Sequence, residues 1–190
     1  MHLPSTNVFV QIVMVGLLTG GVYALMAAGL TLIFGVMKVI NIAHGAFLVF
    51  SAYMTYWLFN LYGLDPFLSI FITVPIMFVL GFWFQRYFLT RVKGDPGLIV
   101  LITFSMAITL EGIMGALWES TGRSVRTGYT SEVWIATIAS VNVRFPVVRI
   151  AGFAAAVVAL LALHLFLKYS DMGRGIRATI QNRNAAQLMG

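Results

Sequence analysis

From Val8 to Met37 the chain runs for thirty residues without an Asp, Glu, Lys, Arg or His, then passes directly into Lys38-Val39-Ile40-Asn41-Ile42-Ala43-His44-Gly45. A helix of ~20 apolar residues is enough to cross the hydrocarbon layer of a bilayer. The run therefore predicts a membrane-spanning helix with a polar knot at its end. A cleaved signal peptide does not fit, because its apolar core is only about 7–15 residues long and follows positive charge. No Lys or Arg precedes this run.

The rest of the chain has the same character. Hydrophobic residues make up 60% and charged residues 9%, whereas soluble domains carry about 25% charge. So little polar side chain cannot cover a water-facing surface. The net charge of +6 does not mark a nucleic-acid binder, because the basic residues fall at the ends of apolar segments, where they orient membrane helices. No cysteine is present, which removes disulfides, thiolate metal sites and a cysteine nucleophile.

Five apolar segments follow from windows of membrane-spanning length: 8–37, 42–59, 67–85, 97–118 and 146–167. The expected fold is all-α, a polytopic transmembrane helical bundle of about five membrane segments with a cytoplasmic helix after them. The first segment is either one tilted helix or a crossing followed by a bent piece near Gly29 to Gly35. Arg86, Arg91 and Lys93 fill one short connection, and Lys168, Arg174, Arg177 and Arg183 follow the last segment. Positive charge marks the cytoplasmic side, so both regions and Lys38 are expected inside, with the N-terminus and Leu61 to Pro66 outside. Segment 119–145 is then an external loop despite Arg123, Arg126 and Arg144, which Glu119 and Glu132 partly balance.

Gly16, Gly20, Ala24 and Ala28 recur every fourth residue. That spacing puts them on one helix face, where small residues let a second helix approach closely. Gly112 and Ala116 repeat the spacing. Helix packing is the reading that fits, with a smooth wall of a translocation path as the alternative.

Asn41 and His44 are three residues apart, so on a helix they share a face, with Lys38 one turn back. Either Asn41 caps the helix beginning near Ile42, as helix starts favour, and His44 bonds a neighbouring carbonyl, or the group belongs to a gate or to the support for a broken helix beside a pathway. A lone histidine without a second nearby ligand makes no metal site. Glu111 is the one acid well inside a span. An acid there needs a polar partner or a water-filled cavity, which makes it a pathway candidate. His164 reads as a packed or interfacial histidine. Tyr56, Trp57, Trp83, Tyr87, Trp118 and Trp134 lie near the predicted boundaries and read as interfacial anchors.

After Ser170 the composition changes. Arg174, Arg177, Gln181 and Asn184 share one helical face, and Ile176 and Ile180 mark another. Gly173 and Gly175 are expected to permit a sharp turn ahead of this short helix. An interfacial helix held by lipid headgroups is one reading. A docking element for a soluble partner fits the mixed polar and small-residue surface better.

Three blocks bear a family likeness: GLLTGGVYALMAAGLTLIFGVMKVINIAHGAF (Gly16–Phe47), QRYFLTRV with the following LIVLITFSMAITLEG, and YSDMGRGIRATIQNRNAAQLMG (Tyr169–Gly190). Over essentially its whole length the chain resembles the branched-chain amino acid permease family of ATP-binding-cassette importers. The resemblance implies an inner-membrane permease domain over residues 1–190, with a coupling loop at 170–190. Its implied partners are a second permease subunit, two cytoplasmic ATP-binding subunits and a periplasmic substrate-binding protein. Gly173, Arg174, Arg177, Ala178 and Gly190 match the family's ATPase contact, and Asn41, Ala43, His44 and Gly45 match its membrane signature. No cofactor and no catalysis in this chain are implied, and no G-x-x-x-x-G-K-[ST] phosphate loop occurs. Family members continue beyond the coupling loop with further spans, so the chain is expected to be C-terminally truncated relative to them. Branched-chain amino acids are the expected cargo. Urea or a short amide, an ion-coupled transporter or channel, and a non-transporting scaffold are the competing readings.

Overall fold

The computed structural model describes residues 6–92, 95–118, 122–138 and 141–182. Its elements run α1 (Thr6–Met37), α2 (Ala43–Tyr62), α3 (Pro66–Tyr87), a short 3-10 helix (Leu89–Val92), α4 (Pro96–Trp118), a second 3-10 turn (Gly128–Ser131), β1 (Val133–Ile138), β2 (Val141–Pro146), α5 (Val147–Tyr169) and α6 (Asp171–Gln181). The five predicted spans are all helices. Among the described residues, α1, α3, α4 and α5 are long and apolar enough to cross a membrane; α2 is diluted by its Ser, Thr, Tyr and Asn residues. Large apolar side chains face outward throughout, for example Phe71 at 78% exposure and Phe78 at 72%. Water would penalise such exposure at about 25 cal/mol per Å², so lipid is the solvent these helices are built for. The protein is an all-α, polytopic membrane protein.

The chain divides into two compact units: Met1–Val36 with Thr127–Gly190, and Met37–Arg126. In the first, α1 is one continuous helix of 32 residues, about 48 Å long at 1.5 Å per residue. The bent-piece alternative near Gly29 to Gly35 is not what forms. A Cβ placed on Gly21 would lie 2.3 Å from the Phe153 ring of α5, and Gly152 of α5 faces Val22. At the other end, the Gln11 side-chain amide pairs with the backbone of Arg144, donating to its carbonyl at 2.6 Å and accepting from its N–H at 2.7 Å.

The segment expected to be a loop contains a hairpin. β1 and β2 pair antiparallel, with Trp134 opposite Phe145 and Ala136 opposite Val143. Both strands are rich in β-branched residues and each carries one aromatic, Trp134 and Phe145, a composition that favours strand, and the Thr137 hydroxyl donates to Asn142 Oδ1 at 2.9 Å across the pair.

In the second unit α2 is flanked by α3 and α4. Thr103, Ala107, Leu110 and Met114 are the buried residues of α4, and their spacing of four, three and four lines one helix face. Ala107, Leu110 and Met114 meet Ala46 of α2, with Phe47, Phe50 and Tyr53 around them. The turn from α2 to α3 is written locally. Gly63 adopts φ 65° and ends α2, its N–H bonding the Phe59 carbonyl at 2.9 Å. Asp65 then caps α3, accepting from the Phe67 N–H at 2.9 Å, with Pro66 opening the helix. Pro75 lies inside α3 and withholds one helical hydrogen bond.

Candidate functional site

The polar knot is a break in the chain rather than a continuous helical face. Helix α1 stops at Met37 and Lys38 takes φ 57°, the left-handed region that side chains other than glycine disfavour. Lys38, Asn41 and His44 therefore do not share one helix surface as the spacing predicts. Asn41 precedes α2, its Oδ1 accepting from the Ala43 N–H at 3.1 Å and its carbonyl from the His44 N–H at 3.3 Å. Asn41 thus makes a turn one residue ahead of Ile42, the N-cap of α2, which has no side-chain cap bond of its own. A residue the spacing does not point to holds the other side: Thr103 of α4, fully buried, accepts from the Ile42 N–H at 3.3 Å through its hydroxyl. Its hydroxyl also donates to the Val100 carbonyl at 3.0 Å.

His44 stands at the start of α2 and lines a cleft of about 310 Å³ between α2 and α3, together with Ser51, Thr55 and Thr73. His44, Ser51 and Thr55 lie seven and four residues apart and so share a helix face. Across from them Ser69 and Thr73 of α3 are buried. The Ser69 hydroxyl donates to the Pro66 carbonyl at 2.7 Å and lies 3.4 Å from the Thr55 hydroxyl, and Thr73 donates to the Ser69 carbonyl at 2.8 Å. The rest of the lining is Phe47, Leu48, Ile70, Val74 and Met77, so the cleft sets three hydroxyls and an imidazole among apolar walls. Paired Ser/Thr residues four apart in the sequence, Ser51/Thr55 and Ser69/Thr73, were the available signal. Glu111 is not part of the cleft: it is exposed on α4.

The second site is the elbow between α5 and α6. Ser170 makes the turn with extended backbone (φ −79°, ψ 152°). Its hydroxyl donates to the Phe166 carbonyl at 2.7 Å and accepts from the Gly173 N–H at 2.9 Å, closing α5 and opening α6 with one side chain. Gly173 and Gly175 lie inside α6, so they are not the turn. Gly173 is buried, and a Cβ there would sit 2.5 Å from the Phe166 carbonyl oxygen and 2.6 Å from that of Leu167. Glycine is required by close approach. Arg177 reaches back to donate to the Leu167 carbonyl, a bond that suits the negative end of α5. Arg174 pairs with Asp171. Ile180 lies over Gly35 of α1, which turns Arg174, Ala178 and Gln181 outward. Gly190, Arg183 and Asn184 lie outside the described residues, as do Lys93 and Glu119.

The small-residue stripe is placed differently from the packing face of its unit. Nothing lies within 4 Å of a Cβ on Gly16 or Gly20, and Ala24 is exposed while Ala28 is half-buried. Gly112 is likewise open. The α1–α5 contact uses Gly21, one position along. His164 is exposed on α5. Arg123 explains one cation in the expected external segment: it donates to the Trp118 carbonyl at 3.0 Å and lies 5.5 Å from the ring centres of both Tyr56 and Trp57. Trp118 in turn stacks on Tyr53 at 4.7 Å. Cation–π contacts of this kind anchor the charge to the aromatic cluster.

Comparison with known proteins places the chain. Residues 12–190 match the family described as the branched-chain amino acid transport system permease component. The chain belongs to this family. It is 27% identical over 199 residues to the high-affinity branched-chain amino acid transport system permease protein LivH of Escherichia coli K12, covering 96% of this chain and 62% of that protein. LivH of Salmonella typhimurium is 25% identical over 194 residues, with the same coverage. BraD of Pseudomonas aeruginosa, named likewise as a high-affinity branched-chain amino acid permease protein, is 25% identical over 204 residues, covering 99% of this chain and 64% of its own length. The chain thus spans about 62% to 64% of the length of these relatives. No solved structure matches it.

Proposed function

We propose that this chain is a permease subunit of a binding-protein-dependent, ATP-driven importer that carries branched-chain amino acids across the inner membrane. The observation that carries the reading is the α5–α6 elbow. A short amphipathic helix is clamped to the end of a membrane helix by Ser170, Gly173 and Arg177, and it turns Arg174 and Ala178 outward. A rigid lever of this kind passes displacement of a docked soluble subunit into α5. Two cytoplasmic ATP-binding subunits are the partners that fit it, with a second permease subunit and a periplasmic substrate-binding protein completing the assembly. The cargo follows the names of the relatives, LivH and BraD. Within this chain the α2–α3 cleft, with His44 and three hydroxyls among apolar walls, offers polar groups to an amino acid's charged ends and apolar surface to its side chain. Gly16, Gly20, Ala24 and Ala28 offer a face on which another permease helix can pack closely.

The test is reconstitution with all partner subunits in proteoliposomes. ATP-dependent leucine uptake is expected, and Arg174→Glu with Arg177→Glu should reduce both ATPase co-purification and uptake at least tenfold. Uptake driven by a proton or sodium gradient without the ATPase would overturn the reading. So would full transport in the double variant.

A further inference from the structure

A groove of about 660 Å³ lies between α3 and α4, in the second unit and away from the His44 cleft. Its volume falls within the ~300–1,000 Å³ usual for small-molecule sites. The walls are apolar: Leu80 and Phe84 from α3, Ile102 and Met106 from α4. At one end Arg91 and Tyr87 stand together, the guanidinium 6.0 Å over the tyrosine ring. Leu80 and Tyr87 are seven residues apart, so the groove follows α3 for about 10 Å. It therefore joins an apolar slot to a cation at the helix end, where aromatic residues mark headgroup depth.

No carboxylate among the described residues pairs with Arg91. Among the described residues the one ion pair is Arg174–Asp171, in the other unit. The acid nearest to Arg91 in sequence, Asp95, is occupied as the cap of α4, its Oδ1 accepting from the N–H groups of Gly97 and Leu98 at 2.8 and 3.3 Å. A packed helix would cover the slot but leave this guanidinium in need of an acid. We propose that the groove is a binding site for one anionic phospholipid, an acyl chain lying between Leu80 and Met106 and the phosphate meeting Arg91. Guanidinium and phosphate match in geometry as well as in charge, and basic pockets between membrane helices on the cytoplasmic side suit anionic headgroups. The site is independent of the transport reading: it needs the bilayer and these helices, not the ATPase.

Native mass spectrometry of the detergent-solubilised protein, titrated with phosphatidylglycerol and phosphatidylcholine of identical acyl chains, tests it. One phosphatidylglycerol per chain is expected to be retained in preference to phosphatidylcholine. Arg91→Gln should lower that retention about fivefold or more, the effect of one arginine near an anionic headgroup. Arg86→Gln, which removes a neighbouring charge that does not line the groove, should leave retention unchanged. Leu80→Trp, which fills the slot and keeps the charge, should weaken both lipids, and Arg91→Lys should restore most of the preference in a folded protein. Equal retention of the two lipids would overturn the site. Equal losses from Arg86→Gln and Arg91→Gln would reduce it to diffuse surface charge and overturn it too. A photo-crosslinker at position 106 that captures a partner subunit in place of lipid would do the same.

Discussion

Two of the joints between consecutive helices, α5–α6 and α1–α2, are built by opposite means. The α5–α6 elbow is enforced by backbone crowding: Gly173 sits against the last carbonyls of α5 with no room for a methyl group, and the hydrogen bonds made by Ser170 and Arg177 span at most ten residues. The α1–α2 break depends on side-chain hydrogen bonds and on Lys38 in a left-handed conformation, and one of its fastenings comes from Thr103, 61 residues away in sequence. Crowding gives a stiff joint with one geometry. Hydrogen bonds to hydroxyls are separately exchangeable, each contributing only about 0.5–1.5 kcal/mol. The elbow is thus suited to transmit force, and the break, beside a hydroxyl-lined cleft, is suited to rearrange.

The sharpest way to break this contrast is at Gly173. Gly173→Ala places a Cβ against backbone atoms at 2.5–2.7 Å, with an expected cost at or above the upper end of about 1–3 kcal/mol. It should appear as faster amide exchange throughout α6. Gly175→Ala, with open space around it, should instead be neutral or stabilise α6 by up to about 1 kcal/mol. If both alanines behave alike, crowding does not set the elbow.

The next effect is at the break. Thr103→Val leaves the Ile42 N–H without its acceptor at about 1–3 kcal/mol, and Thr103→Ser should restore most of it; thermal unfolding of the three proteins in detergent measures the difference. An unchanged midpoint for Thr103→Val would mean that water or another group takes over the bond. The smallest effect belongs to Lys38→Gly. Removing the side chain relieves a left-handed residue whose strain is about 1–2 kcal/mol, offset by the chain entropy of glycine. A net gain below about 1 kcal/mol is expected, and a clear loss would show that the lysine side chain outweighs its backbone strain.

How much of this was legible depended on where the partners lay. The α2–α3 turn could be read residue by residue, because Gly63, Asp65 and Pro66 act on their immediate neighbours. The short helix after Ser170 and its two faces were legible for the same reason, although Gly173 and Gly175 proved to be helical and the serine made the turn. The hairpin in 133–146 was hidden behind the expectation of a loop, since a single strand has no value until its partner is in register. The α1 position that packs within its own unit lies one residue off the small-residue stripe. Gly16 and Gly20 have the spacing, yet Gly21 carries the contact with Phe153, and a helix apolar on every side offers no polar face from which to tell its inside from its outside.

Composition and local order alone determined that the chain lives in lipid, that its apolar segments are helices, and that its last described helix is two-faced, because backbone polar groups in hydrocarbon must be satisfied within the segment. Only the tertiary structure decided which glycine is crowded, that Thr103 holds Ile42, and that His44 shares a cleft with the hydroxyls of α3. Those contacts join residues distant in sequence, and in lipid, where burial between helices gains little over exposure, their identity rests on close packing and hydrogen bonds that no apolar pattern records.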